Sequence, residues 1–303
     1  MAKKKKNAEQ LPEGMSRRQA KLAARAAERA AFERDPRPFG ELSFETDLIA
    51  VQAFVPSAKA KVQVAGIDRP VYLCTVLPGG AAAVVREDAE GEVALVALQQ
   101  YKPSRNPNRD LAFALNWVKS AQVGETLESS HADGTEPKLV DVLDPKQDVV
   151  FEEFDNFNWW IPAGMQDNAE YKRAIEAANE TVLPSAKVEA EISGTAWWIN
   201  PGEKAHIRWV RPEHEDKVLH ALARIAARGE LKLGEESKFA GVFRTHGIVV
   251  PVWDLDPQRA PETYPADLKA LDAKIVAELD NDAPLTADER RQLENIKSRQ
   301  VTL

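Results

Sequence analysis

An apolar residue followed by Pro-Ser-Ala-Lys occurs twice, at 55–59 and at 183–187, and each copy runs into a segment that reads as a strand, 60–64 and 188–192. A second echo lies further on, where Lys138-Leu139-Val140-Asp141-Val142-Leu143 is matched by Lys238-Phe239-Ala240-Gly241-Val242-Phe243. Val149-Val150 and Val249-Val250 then fall at the same distance beyond these segments. Two separated echoes in one order constrain the fold more than any single motif. They predict an α+β chain built by tandem duplication, each copy an antiparallel sheet with a helix packed on it. The expected division is a basic arm at 1–38, copy one at 39–155, copy two at 156–260 and a helical C-terminal segment at 261–303.

Punctuation by Pro and Gly places the elements within that frame. In copy one a helix is predicted over 47–54, capped by Thr46 or Asp47 and stopped by Pro56. Strands follow at 60–64, 71–77, 82–86 and 93–99, then a helix from Asp110 with Leu111, Leu115 and Val118 on one face. A pair of strands, 138–143 and 149–154, closes the copy. Copy two repeats the order with fewer parts: a helix over 169–182, strands at 188–192, 196–199 and 205–210, and a helix from Glu215. Strands at 239–244 and 248–253 then flank the turn Thr245-His246-Gly247. Beyond Pro261 two charged helices are expected to cover an edge or seam, the second opened by the capping box Thr286-Ala287-Asp288-Glu289.

A chain of 303 residues with 44% hydrophobic residues can bury a core without crosslinks. Its single cysteine, Cys74, excludes an intramolecular disulfide and a cysteine-based zinc site within one chain. No apolar run approaches the roughly 20 residues needed to span a bilayer, and no apolar region follows the opening lysines, so the expected location is cytoplasmic. No phosphate loop, glycine-rich dinucleotide fingerprint or Gly-x-Ser-x-Gly elbow occurs. The sequence therefore names no reaction, no cofactor and no metal.

Charge is unevenly spread. The whole chain carries -8, yet the arm holds Lys3, Lys4, Lys5, Lys6, Arg17, Arg18, Lys21, Arg25 and Arg29, with an Ala-rich run from Ser16 to Arg34 that suits a marginal helix. Such a stretch can contact phosphates of RNA or another acidic partner. In the body, Arg244 and His246 stand at a turn between two strands, where a rigid edge presents polar groups. His246 is suited to hydrogen bonding or proton transfer near neutral pH. His206 is the other histidine that could join it in a cleft between copies. His131 falls in a loop of copy one. His214 and His220 are six apart, about 600° around a helix, and so do not match a zinc-binding pair. The paired indoles Trp159-Trp160 and Trp197-Trp198 read as strand residues with one ring inward and one outward. With Trp209 and Trp253, outward rings could form an aromatic groove; burial in a core is the competing reading.

The segments Glu203-Lys204-Ala205-His206-Ile207-Arg208-Trp209-Val210-Arg211-Pro212, 243–255 with its His-Gly and Pro-Val-Trp-Asp-Leu, 283–290 and the final Arg299-Gln300-Val301-Thr302-Leu303 resemble an actinobacterial domain-of-unknown-function family. The resemblance runs from about Pro38 to the end. Many members of that family carry an N-terminal cysteine-rich SEC-C zinc motif and are labelled SecA-like for it. Here lysines and arginines stand in place of those cysteines, so no zinc is implied. The resemblance suggests contact between the arm and translation or export machinery, made through charge. The leading expectation is a non-catalytic binding or adaptor protein whose arm touches nucleic acid, the ribosome or an acidic protein. The alternative is an enzyme with a cleft between copies, using His246 and Arg244.

Overall fold

Leu48-Ile49-Ala50-Val51 are four apolar residues in a row, and winding them at about 100° per residue points them in different directions. A helix carrying them leaves no side for water and must be enclosed. They lie in α1 (Glu45–Ala53), and all four are fully buried. The structure, a computed structural model, describes residues 34–302 apart from Glu90, His131 and Asp133. The arm helix expected before Pro36 and its basic residues up to Arg29 lie outside the described residues, as does His131.

Two six-stranded sheets enclose α1. The first contains β1 (Ala58–Val62), β2 (Val71–Val76), β3 (Ala83–Asp88), β4 (Gly91–Gln99), β5 (Thr126–Leu127) and β6 (Glu152–Glu153), in the order β5-β3-β4-β2-β1-β6. The second contains β7 (Ser185–Lys187), β8 (Thr195–Ile199), β9 (Ala205–Val210), β10 (Lys238–Thr245), β11 (Ile248–Leu255) and β12 (Val301–Thr302), in the order β12-β10-β11-β9-β8-β7. Pairing is antiparallel except between β2 and β4 and between β10 and β12. The protein is α+β. One core draws Leu73, Val85 and Val96 from the first sheet and Trp197, Val210, Phe243 and Val250 from the second onto α1, so it crosses residue 155.

Each Pro-Ser-Ala-Lys contributes to a strand near one edge of its sheet, and both strands, β1 and β7, pair antiparallel with the next. In the second half that strand is Ser185–Lys187 of the motif itself, and the strand expected at 188–192 does not form. Beyond that point the halves diverge. The chain leaves β2 through the Pro78–Gly80 turn, skips a strand position and returns as β4, parallel to β2. After β8 it reverses directly into β9, which is antiparallel to its neighbours. α2 (Pro107–Trp117) follows the β3–β4 hairpin, whereas α5 (Glu215–Ala227) precedes the β10–β11 hairpin. The halves therefore share a strand pair and a hairpin but do not match strand for strand.

Several expected elements take another form. Residues 138–143 hold the short helix α3 (Leu139–Val142), because Leu139, Val142 and Leu143, at i, i+3 and i+4, are the residues the core receives. Of 149–154 only β6 pairs with β1. Trp159-Trp160 sit in a 3-10 turn, Asn158–Trp160, not a strand. The Arg86 guanidinium holds that turn by donating to the Trp159 carbonyl at 2.7 Å and to that of Trp160. The turn packs with Ile175 of α4 (Ala169–Asn179) on the face of the first sheet away from α1. Thr46 and Asp47 do not cap α1; Thr46 Oγ1 lies 3.0 Å from Thr195 Oγ1, and Asp47 pairs with Lys187 at 2.9 Å. Both side chains tie the helix to the second sheet.

On the outer face of the second sheet, α5 buries Val218, Leu222 and Ile225, as its spacing requires. α6 (Pro265–Leu279) and α7 (Ala287–Ser298) pack against it. The Thr286–Glu289 capping box is formed in both directions. The C-terminal segment thus covers a helix, and its last residues add edge strand β12 beside β10.

Candidate functional site

The β10–β11 hairpin closes with Thr245 paired to Ile248, leaving His246 and Gly247 as its two turn residues. Both have positive φ, 49° and 77°, the requirement of a type I′ turn, for which Asn-Gly is the favoured pair. Histidine is, with Asn and Asp, among the non-glycine residues that enter this left-handed region most readily. Gly247 is required for a second reason: a Cβ at this position would lie 2.1 Å from the Pro36 carbonyl oxygen. The segment 34–38 crosses the hairpin tip at that point. Gly247→Ala is expected to cost about 2 kcal/mol through left-handed strain and displacement of that segment. Urea unfolding measures the loss, and an unchanged midpoint would show that residues 34–38 do not rest on the tip.

The His246 ring meets Phe39 edge-on, with centroids 5.3 Å apart. Burial, reinforced by the charge of Arg34, lowers its pKa to about 4. At neutral pH the imidazole is uncharged and offers one donor and one acceptor. It borders a cavity of about 920 Å³ between the halves, lined also by Arg34, Gln52, Gln100, Ser104 and Thr245. Gln52, near the end of α1, donates from Nε2 to the Leu98 carbonyl at 2.9 Å, and its Oε1 is buried without a partner. Gln100 is held by exchange with Ser130, at 2.7 and 2.9 Å. With Arg34, Asp35 and Arg105 also on the wall, these groups make a mixed charged and hydrogen-bonding surface.

The other expected site residues do not join it. Arg244 precedes the tip and pairs with Glu215 at 2.8 Å. His206 lies on β9, its Nδ1 3.2 Å from Asp254 Oδ1 at ion-pair distance without the alignment of a hydrogen bond. Burial lowers the His206 pKa, Arg208 adds to the shift, and Asp254 opposes it. His206 registers with Asp254 on β11, six residues from Ile248 at the turn, or roughly 20 Å along the strand. One cleft containing His206 and His246 is therefore not formed. Trp209 and Trp253 are fully buried against each other in the second core, and Trp209 Nε1 donates to the Ser193 carbonyl at 2.8 Å. They form no aromatic groove. Burial pushes the Cys74 thiol well up, so it is no nucleophile. Among the described residues no group of three or more His, Cys, Asp or Glu could hold a metal ion.

Gln52 and Gln100 were missed by pattern reading. The available signal was Gln52 itself, a lone amide in an otherwise apolar stretch of α1. A family model described as a family of unknown function, DUF5926, matches residues 38–303. No curated protein and no solved structure matches the chain.

Proposed function

The chain belongs to DUF5926, a family of unknown function, and on that footing we propose that it is a non-catalytic binding protein. It holds an acidic partner through its basic arm and the polar groove beside His246. The observation that supports this reading is continuity: Arg34, Asp35 and Pro36, where the arm meets the described body, line the 920 Å³ cavity beside His246 and Gln52. A partner gripped by the arm is thereby delivered to a surface of charged and neutral donors and acceptors. The groove pairs no nucleophile with a base, which favours recognition over turnover. Nucleic acid, alone or within the ribosome, is the first partner class, an acidic protein the second, and contact with translation or export machinery would follow from either. Among the described residues no helix is long and apolar enough to cross a membrane.

Full-length chain and a variant lacking residues 1–33 are compared for binding to single-stranded RNA across a salt series. The full chain is expected to bind with a log–log salt slope of about -0.7 per phosphate contacted, and the shortened chain to bind far more weakly. Equal affinity of the two for RNA, and for a polyglutamate peptide tested beside it, would remove the arm from the function.

A further inference from the structure

Buried and half-buried arginines among the described residues are commonly paired with acids. Arg37 is joined to Glu45, Arg109 to Glu136, Arg211 to Glu213 and Asp272, and Arg259 to Asp267. Arg208 departs from the pattern. Its guanidinium stands 5.4 Å from the Phe54 ring on the α1-facing side of the second sheet, with no acid or carbonyl partner among the described residues. A desolvated guanidinium with five donors is costly to leave unmatched. It opens on a cavity of about 480 Å³, within the size range of small-ligand sites.

Arg299 lines the same cavity and also has no acid partner among the described residues. The path that brings it there depends on Gly241. This residue sits at an irregularity in β10, between Phe239 and Gly241, with φ 145°. A Cβ on it would lie 3.1 Å from both Cβ and the carbonyl oxygen of Arg299, so glycine lets the chain after α7 close onto the strand. The acid on the cavity wall, Asp254, is already occupied by Lys204 at 3.0 Å and by His206 at 3.2 Å.

We propose that Arg208 and Arg299 form an oxyanion site that takes the carboxylate or phosphate group of a small ligand, independent of the arm and of the His246 groove. Two guanidinium forks offer the planar, multidentate geometry that these oxyanions fit. His206, at the edge, adds a ring nitrogen as a further polar contact. Phe243 and Val252 supply an apolar wall for whatever carries the acid group.

Calorimetric titration of the full chain with inorganic phosphate and with succinate, at constant ionic strength, tests the site. At least one anion is expected to bind, and which one does so distinguishes a phosphate from a carboxylate ligand. Arg208→Gln and Arg299→Gln should each weaken binding about tenfold or more, while Arg291→Gln, an exposed change on α7, should leave it unaltered. Arg299 is exposed, so its variant reports on binding even if Arg208→Gln perturbs folding. Absence of binding by both anions, or equal binding to wild type and Arg299→Gln, would overturn the proposal.

Discussion

Replacing Arg211 with leucine lowers the unfolding free energy by about 3–5 kcal/mol. The side chain is fully buried, with its guanidinium 4.7 Å above the Trp209 ring. Its Nε and Nη2 donate to Glu213 at 3.0 and 2.6 Å, and Nη1 donates to Asp272. Ser193 completes the cluster: its hydroxyl donates to Glu213 at 2.7 Å and its amide to Asp272 at 3.1 Å. Removing the cation leaves two carboxylates turned inward with a serine between them. The cost comes mainly from those stranded charges, not from the worth of the intact pair. Asp272→Asn in the Arg211→Leu background should therefore recover part of the loss. Urea denaturation of the three proteins decides the matter, and a loss below about 1 kcal/mol for Arg211→Leu would mean that water reaches the cluster.

Acidification from pH 7 to pH 4 is expected to remove about 3 kcal/mol of stability through His246 alone. Its folded pKa, about 4, lies below the ordinary 6.5 because burial disfavours the imidazolium and Arg34 repels it. A histidine depressed in the fold binds its proton more readily when unfolded. The stability tied to the neutral ring is thus complete above about pH 6.5, declines as the pH falls and is lost near pH 4, with no further change below. His246→Asn keeps a residue suited to the left-handed turn and removes the titration. Carboxylates contribute acid sensitivity to both proteins, so the difference between their unfolding curves isolates the ring. Parallel curves from pH 7 to pH 4 would show that His246 is hydrated, and with it that the groove is open to water at its base.

His246 was visible as a turn residue between two apolar strands, and the turn is there. Its neutral state was not visible, because it depends on burial against Phe39 and on Arg34, more than 200 residues away. Arg211 gave no signal at all: Arg211-Pro212-Glu213 reads as charged loop, and Asp272 reaches it from α6. Trp209 and Trp253 could be read as core or as groove from alternation alone, and the helices α5 and α6 packed over them decided for core.

What the sequence determined by itself was local. The Thr286–Glu289 box, the α5 spacing, the hairpin at Thr245–Ile248 and the strand beginning at the first Pro-Ser-Ala-Lys follow from residues within a turn or two of each other. The repeated motif also pointed to an α+β chain, while the separation into two sheets became visible only in the structure. Tertiary structure decided the rest: that 139–142 coil as a helix, that β4 runs parallel to β2 while β9 runs antiparallel to β8, and that α1 lies in a core shared by both sheets. A short apolar run has nearly the same local energy as helix or strand. The surface that buries it, contributed by distant parts of the chain, settles which one forms.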